Sequence, residues 1–180
     1  VGSGSDTGNR FATQFKRGYY RFIPAYFERK NFYNNPLASL GQLTININDQ
    51  EVVYSEESST YIDVHDNLTF LKDKEHFLWT SEKDGYNHLY KININNGNGI
   101  QITKGEWEVT EVYGVNEENG TIFFQAAKEH PTKREVYSIN ITGNELNKLS
   151  TISGTNHAEF SNSFDYYLHY NTTANTPHYI

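Results

Sequence analysis

The sequence contains no cysteine, no methionine and only four prolines among its 180 residues. Without cysteine, the chain can form no disulfide, perform no thiol catalysis and hold no cysteine-ligated zinc. Positive charge is also scarce, because 15 lysines and arginines stand against 22 aspartates and glutamates, which gives a net charge of −7. A protein that binds nucleic acid through its phosphates needs the opposite balance. No apolar run approaches the roughly 18 residues that a membrane-spanning helix requires.

Aromatic residues, by contrast, are abundant. They make up 15% of the chain, with 14 tyrosines and 11 phenylalanines, although only 36% of all residues are hydrophobic. Disordered chains are poor in aromatics, so this composition predicts a folded domain with a core. The apolar residues form short alternating or fully apolar runs, which are typical of β-strands, while sustained helical periodicity is absent. The clearest runs are residues 43–47, 77–80, 88–92, 121–124 and 136–139.

Turn signals separate these runs. Asp84-Gly85 is a strong hairpin signal, because a tight turn of this kind needs a residue that tolerates positive φ. Asn96-Gly97, Asn119-Gly120 and Gly143-Asn144 mark further turns in the same way. The hairpin at 84–88 is both polar and aromatic, which makes it a candidate to face a binding partner or a central channel.

An internal repeat of 45 residues organises the second half of the chain. Two sets of apolar residues recur at this interval (115 − 70 = 160 − 115 = 45), namely Phe70, Val115 and Phe160, and Leu78, Phe123 and Leu168. A polar turn lies between the members of each pair. Each unit therefore has the pattern strand, turn, strand, loop, strand, loop, strand, which is the size of one β-propeller blade. Packing of each blade against its neighbours explains the large aromatic residues in a chain that is otherwise polar.

The repeat predicts an all-β fold, a partial β-propeller of four-stranded antiparallel blades. A closed propeller needs about four to eight blades, so we expect the chain to be an arc of a larger propeller, cut at both ends. Its first residue is not methionine, which fits this expectation. The predicted organisation is a leader or artificial remnant at 1–10, the end of a preceding blade plus a poorly matched segment at 11–60, blades at 61–105 and 106–151, and a partial blade at 152–180. A β-sandwich with accidental spacing is the alternative.

Several stretches in residues 42–180 resemble one known family. They are Phe77-Leu-Trp-Thr-Ser-Glu-Lys-Asp-Gly-Tyr-Asn-His-Leu-Tyr90, the segments 102–110 and 134–139, Gly154-Thr-Asn-His-Ala-Glu-Phe-Ser161, and the ending Thr173-Ala-Asn-Thr-Pro177. These stretches resemble the propeller of dipeptidyl peptidase IV-like enzymes, within the prolyl oligopeptidase family, and especially its Bacteroidetes branch. Residues 1–41 show no clear match.

The resemblance implies a parent enzyme in which an eight-bladed propeller caps an α/β-hydrolase domain with a Ser-Asp-His triad. Such an enzyme removes dipeptides, typically after proline, from peptide N-termini, and the propeller limits access to the active site. The implied partners are the chain's own hydrolase domain and peptide substrates, and a homodimer is left open. The resemblance also implies a periplasmic or secreted location, and neither nucleic acid nor a membrane span is expected.

No catalytic, cofactor-binding or metal-binding residue is assigned from the sequence, and no cofactor is expected. The nucleophile motif Gly-x-Ser-x-Gly is absent, so the triad is expected beyond Ile180. The family's amine-binding glutamates lie in an acidic motif flanked by Trp or Tyr, which neither Glu56-Glu57 nor Glu117-Glu118 matches. The latter pair fits a surface turn.

Other constellations favour structural roles. Asp63-Val64-His65-Asp66 is the best metal candidate, since alternate strand residues share a face, but structural or surface histidines are the favoured interpretation. Trp79 and Trp107 could form a sugar-stacking surface, although packing between blades is favoured. We therefore interpret the chain as a non-catalytic propeller segment of a dipeptidyl peptidase IV-like serine exopeptidase. The alternative is a binding or scaffolding propeller without peptidase activity.

Overall fold

The computed structural model describes residues 25–30, 41–47, 51–58 and 67–180. Within these ranges all regular secondary structure consists of β-strands, and every pair of neighbouring strands is antiparallel. The strands form four sheets in which strands that follow one another in the chain lie side by side. The all-β prediction and the four-stranded antiparallel pattern are confirmed, and the chain has the architecture of a partial propeller.

The strand bounds follow the chain order of the four sheets. The first sheet contains β1 (Ala25–Lys30), β2 (Gly41–Ile47) and β3 (Glu51–Ser58). The second contains β4 (Thr69–Phe70), β5 (His76–Ser81), β6 (His88–Asn93) and β7 (Gly99–Gln101). The third contains β8 (Val109–Asn116), β9 (Thr121–Ala126), β10 (Glu135–Asn140) and β11 (Asn147–Lys148). The fourth contains β12 (Thr155–Phe160), β13 (Tyr167–Thr173) and β14 (Thr176–Tyr179).

All five strand segments predicted from apolar runs coincide with strands, β2, β5, β6, β9 and β10. The strand β1 was not predicted, because the aromatic and basic segment that contains it fits the repeat badly. The division into units at residues 61, 106 and 152 stays a prediction. The predicted leader at 1–10 lies outside the described residues.

The 45-residue repeat appears in the strand register. In three successive sheets, a residue near the end of the first strand pairs with a residue near the start of the second strand. The recurring pairs are Phe70 with Phe77, Val115 with Ile122, and Phe160 with Tyr167. Because these six positions are related by the same interval, the hydrophobic pattern fixes both the turn and the face that each strand buries.

The interval changes within the second and third sheets. The loop at 82–87 between β5 and β6 has two residues fewer than the loop at 127–134 between β9 and β10. Equivalent residues after these loops are therefore 47 positions apart (136 − 89 = 47), as for Leu89 and Val136. The hairpin predicted at Asp84-Gly85 is present, with the expected positive φ of 102° at Gly85, and its connecting loop covers residues 82–87.

The second sheet is buried on both faces. Leu78 and Leu89 belong to a core shared with the third sheet, whereas Phe77, Trp79 and Tyr90 pack on the side of Tyr54 in the first sheet. This division follows from the two-residue period of a strand, in which neighbouring side chains point to opposite faces. Fully burying an apolar side chain of this size contributes about 1.5–3 kcal/mol, so the contacts with both neighbouring sheets stabilise the second sheet.

Tryptophan packing between sheets is confirmed. Trp79 is fully buried, and Trp107 is 9% exposed in the core between the second and third sheets. The ring of Trp107 stacks on Phe124, with centroids 6.4 Å apart and planes inclined by 11°. Neither side chain offers the open face that a sugar-stacking surface requires.

Phenylalanine and tyrosine rings fill the junction between the third and fourth sheets. Phe123 of β9 stacks on Phe164 with centroids 5.2 Å apart, and it lies 4.6 Å from Phe160 of β12. Phe160 also contacts Tyr167 of β13 at 5.1 Å. Aromatic pairs in such tilted and stacked arrangements contribute about 0.5–1.5 kcal/mol beyond the area they bury.

Candidate functional site

The first strands of neighbouring sheets approach each other and carry a group of polar and aromatic side chains. We define this group, the inner-strand cluster, as Glu111 and Tyr113 of β8, His157 and Glu159 of β12, and Tyr170 of β13. The register between β8 and β9 shifts twice, between Val109 and Glu111 and between Val112 and Gly114. Such bulges twist a strand and re-aim its side chains, which explains how β8 directs Glu111 and Tyr113 towards the neighbouring sheet.

His157 is the centre of the cluster. Its Nδ1 atom lies 3.2 Å from Oε2 of Glu111 and 3.3 Å from the hydroxyl oxygen of Tyr113. The hydroxyl of Tyr113 also accepts a hydrogen bond of 3.2 Å from the backbone N–H of Ala158. Nδ1 can accept a hydrogen bond from the tyrosine hydroxyl, or, when it carries a proton, it can donate one to the glutamate. This geometry therefore allows two hydrogen-bonding arrangements of the imidazole.

Tyr170 and Glu159 extend the cluster along the fourth sheet. Tyr170 is the cross-strand partner of His157, and the centroids of the two rings lie 6.0 Å apart. Desolvation, together with the negative charge of Glu159 and a hydrogen bond to it, raises the pKa of Tyr170. Burial, with a further contribution from the charge of Glu111, also raises the pKa of Tyr113 well above its ordinary value. Both phenols are therefore neutral hydrogen-bonding groups at neutral pH.

The cluster remains accessible although its members contact one another. The side chain of His157 is 42% exposed and that of Glu111 is 45% exposed. The cluster thus lines a surface that solutes can reach.

The hairpin at 84–88 makes structural contacts to two strands, and its predicted orientation towards a binding partner or a central channel stays a prediction. Nδ2 of Asn87 donates a hydrogen bond of 2.7 Å to the carbonyl oxygen of Val109, so the hairpin holds the start of the third sheet. The carboxylate of Asp84 accepts a hydrogen bond from Gln101 on β7, the last strand of its own sheet. The hairpin thus contacts both the outer strand of its own sheet and the first strand of the third sheet, and Tyr86 is its exposed ring, at 38%.

His88 is a buried structural residue. Its Nε2 atom lies 2.9 Å from the carbonyl oxygen of Gly105 and therefore carries a proton, because a carbonyl only accepts. Its Nδ1 atom lies 3.0 Å from the hydroxyl of Thr103, and that hydroxyl accepts a hydrogen bond of 2.9 Å from the N–H of Leu89. The imidazole packs edge-on against Trp107 at 5.0 Å. These contacts fix the loop that connects the second and third sheets.

A buried carboxylate, Glu135, occupies the equivalent position in the third sheet (135 − 88 = 47). Its Oε2 atom accepts hydrogen bonds of 2.6 Å from Ser150 and 3.0 Å from Nδ2 of Asn156. Ser150 corresponds to Thr103, and its hydroxyl likewise accepts from a backbone N–H, that of Val136, at 3.1 Å. Lys148 lies 3.6 Å from the carboxylate. Polar partners of this kind offset part of the cost of burying the carboxyl group.

Asn156 connects the third and fourth sheets. Besides Glu135, its Nδ2 atom donates to the carbonyl oxygens of Arg134 at 2.9 Å and Ile152 at 3.0 Å. Its Oδ1 atom accepts hydrogen bonds of 2.8 Å from His169 and 2.9 Å from Asn171. Both ends of one buried amide are therefore used, and the sequence contained no signal for this arrangement because all partners except Ile152 are distant in the chain.

The remaining candidates from the sequence lie outside the described residues or in a surface turn. Among the residues that the structure describes, no group of three or more His, Cys, Asp or Glu side chains could hold a metal ion. The candidate Asp63, His65 and Asp66 lie outside the described residues. Glu117 and Glu118 lie in the turn between β8 and β9, as expected for a surface turn. The sequence also failed to indicate the inner-strand cluster, whose members have no common motif and meet only through the packing of sheets.

Comparison with known proteins identifies the family. The family model for the dipeptidyl peptidase IV (DPP IV) N-terminal region matches residues 33–178. The chain belongs to this family. The match spans the four sheets except β1, and it confirms the resemblance carried by the stretches between residues 77 and 177. In the described part of this DPP IV N-terminal region, no helix is long and apolar enough to cross a membrane.

Individual relatives agree with this assignment. The chain is 31% identical over 97 residues to an Aspergillus fumigatus protein named "Probable dipeptidyl peptidase 4", covering 53% of this chain and 13% of that protein. It is 40% identical over 67 residues to dipeptidyl peptidase 4 of Arthroderma otae, covering 37% of this chain and 9% of the relative.

Solved structures share the fold. The crystal structure of Porphyromonas gingivalis dipeptidyl peptidase 4 matches with a TM-score of 0.68 and 30% identity, covering 86% of this chain and 22% of that one. A provisionally assigned dipeptidyl aminopeptidase IV from Bacteroides ovatus matches with a TM-score of 0.67, covering 89% of this chain and 26% of its own; at 20% identity it shows the fold alone. The first of these matches is consistent with the Bacteroidetes-like resemblance. The chain spans between 9% and 26% of the length of these relatives.

Proposed function

We propose that this chain is the non-catalytic propeller segment of a serine exopeptidase that removes dipeptides from the N-termini of peptides. The observation that carries this proposal is the family match over residues 33–178, which coincides with sheets repeated at intervals of about one propeller blade. The relatives that match are named dipeptidyl peptidases. The chain contributes a wall of stacked sheets and not the reacting groups, since it has no Gly-x-Ser-x-Gly motif.

In this proposal the propeller acts together with an α/β-hydrolase domain of the same protein. The sheets limit the route to the active site, so that a flexible peptide passes and a folded protein does not. The buried ties at His88, Glu135 and Asn156 support this role, because they hold successive sheets at fixed spacing. A wall that sorts substrates by size must keep its shape while peptides pass.

The activity is tested with the full-length protein that contains this chain. We expect it to hydrolyse a chromogenic Gly-Pro anilide, and we expect the 180-residue chain alone to release no product. The matched control substrate is N-acetyl-Gly-Pro anilide, in which the free amine is blocked; a dipeptidyl peptidase leaves it intact. Hydrolysis of both substrates at equal rates would point to a different peptidase class, and hydrolysis of neither would favour a binding propeller.

Size selection is tested separately. One substrate is a ten-residue peptide, and the other is a stable folded protein that begins with the same ten residues. We expect release of the N-terminal dipeptide from the peptide and a rate at least about tenfold lower for the folded protein. Equal rates would contradict a gating role while leaving the peptidase activity intact.

A further inference from the structure

We propose that the third sheet holds one buried water molecule between the carboxylate of Glu135 and the hydroxyl of Tyr137. This site uses no residue of the inner-strand cluster and does not depend on the proposed peptidase activity. Two buried polar atoms carry the inference, because each lacks a hydrogen-bond partner among the described residues. They are Oε1 of Glu135 and the hydroxyl oxygen of Tyr137.

Both side chains belong to β10 and point to the same face of this strand. They are two positions apart, and alternate residues of a strand share a face. Glu135 is fully buried, and Tyr137 is 3% exposed. Burial, together with the negative charges of Glu129 and Glu135, raises the pKa of Tyr137, as carboxylates near its hydroxyl must do. The two unpartnered oxygens therefore belong to one small polar region in the interior.

A water molecule matches the hydrogen-bonding capacity of these two atoms. Buried polar atoms without a partner are rare in folded proteins, and an internal water with two or more polar neighbours is the common solution. Oε2 of Glu135 already accepts from Ser150 and Asn156, so Oε1 is the carboxylate atom left for the water. An ionised carboxylate only accepts, whereas a phenol can donate or accept. One water can therefore donate to Oε1 and hydrogen-bond the hydroxyl of Tyr137.

The neighbouring ammonium group favours water over a cation. Lys148 is the cross-strand partner of Tyr137. Its Nζ atom lies 2.9 Å from Oε2 of Glu129 and 3.6 Å from Oε2 of Glu135. A positive charge therefore already stands beside both carboxylates, and it would repel a second cation in this buried region.

The second sheet provides an internal comparison. Tyr90 of β6 is equivalent to Tyr137 (137 − 90 = 47), and its hydroxyl is likewise buried without a partner among the described residues. The residue two positions before Tyr90 is His88 instead of a glutamate, and both ring nitrogens of His88 have partners. This position of β6 therefore offers no second unpartnered atom, and we expect no bridging water there.

A high-resolution crystal structure of the full-length protein tests the site directly. We expect one water within about 2.6–3.2 Å of both Oε1 of Glu135 and the hydroxyl oxygen of Tyr137. An absence of electron density between the two atoms would overturn the proposal. A direct hydrogen bond between them would overturn it as well, and so would a bound ion at the shorter distances of about 2.0–2.5 Å that metal–oxygen contacts have.

Hydrogen exchange in solution tests what the water contributes. Tyr137→Phe removes only the hydroxyl, so the amides of β10 in the full-length variant should exchange about five times faster, the factor expected from one lost hydrogen bond. Removing a hydroxyl that has no partner would instead leave the exchange unchanged or slow it. Tyr90→Phe is the matched control, and the amides of β6 should not exchange faster in this variant.

The remaining outcomes separate the inference from the proposed function. Unchanged or slower exchange in Tyr137→Phe would overturn the water site, and so would equal acceleration in the two variants, because a general need for the hydroxyl would then explain both. Both variants should cleave the Gly-Pro anilide at the rate of the unaltered protein. A full-length protein that leaves the anilide intact contradicts the proposed function and leaves the test of the water site unaffected.

Discussion

Replacing Asn156 with aspartate tests the polar connection between the third and fourth sheets. The substitution keeps the size and shape of the side chain but exchanges the Nδ2 donor for an oxygen. That atom lies 3.0 Å from Oε2 of the fully buried Glu135. Two carboxylates at this separation in a buried site cannot both be ionised, so one of them must take up a proton.

The size of the effect follows from the cost of that proton. A carboxyl group with an ordinary pKa near 4 must be kept protonated at pH 7, which costs about 4 kcal/mol at ~1.4 kcal/mol per pH unit. The folded-state pKa is raised above the unfolded value, so the loss is small near pH 4 and grows as the pH rises. Asn156→Ala removes the same donor without adding a charge, and we expect it to cost about 2–3 kcal/mol with little dependence on pH.

The assay is urea-induced unfolding between pH 5 and pH 8, followed by tryptophan fluorescence. Asn156→Asp should lose stability relative to the unaltered chain by about 1 kcal/mol or more for each pH unit, until the raised pKa is passed. Asn119→Asp, the same change at an exposed turn position, is the control and should shift the free energy of unfolding by less than about 0.5 kcal/mol. If Asn156→Asp shows the same deficit at pH 5 and pH 8, the side chain does not face Glu135.

Three further predictions concern the loops, the aromatic junction and the tyrosines. A Cβ atom at Gly105, where φ is +129°, would lie 2.4 Å from Nε1 of Trp107, so Gly105→Ala should destabilise the fold by about 3 kcal/mol. Gly85 also has positive φ, but no atom lies within 4 Å of its Cβ position, so Gly85→Ala should cost only about 1 kcal/mol. Thermal unfolding of both variants checks the difference. Phe164→Ala removes a ring stacked on Phe123 and should lower the free energy of unfolding by about 1–2 kcal/mol. Tyr166→Ala, at a residue that is 78% exposed in the same turn, should have little effect. Equal losses of stability in urea-induced unfolding of the two variants would contradict the stacking. Burial raises the pKa values of four phenols, those of Tyr54, Tyr90, Tyr113 and Tyr137. The contribution of these neutral phenols to the free energy of unfolding is therefore fully present below the unfolded-state pKa of about 10 and is lost as the pH rises further. Absorbance at about 295 nm should show that the tyrosines of the native chain ionise at higher pH than those of the urea-unfolded chain.

The strands and their turns could be predicted because they depend on neighbouring residues. Phe70 and Phe77 belong to one turn and its flanking strands, and the pattern returns twice at the same interval. A recurring local pattern specifies which residues pair and which face is buried, so the second to fourth sheets followed from the sequence. The strand β1 lacked this support, because its segment has no counterpart in the repeat.

The polar ties and the inner-strand cluster depend on contacts between sheets. Apart from Ile152, the side-chain partners of Asn156 lie 13 to 22 positions away, and His157 meets Tyr113 across 44 positions. No local period encodes such meetings, and the bulges that aim Glu111 and Tyr113 leave no distinct sequence signal. A fixed period of 45 residues does not align His88 with Glu135, because these structurally equivalent residues are 47 positions apart.

The presence of a base in one sheet and an acid in the next, at the same structural position, has a consequence for folding. Neighbouring repeats of similar pattern can pair with the wrong partner, and misassembly of this kind is a characteristic failure of repeat proteins. His88 donates to a carbonyl oxygen, whereas Glu135 accepts hydrogen bonds from Ser150 and from Asn156 of the following sheet, so neither residue can replace the other. The two residues thus distinguish one sheet from the next, and they favour one order of the sheets along the arc over the alternatives.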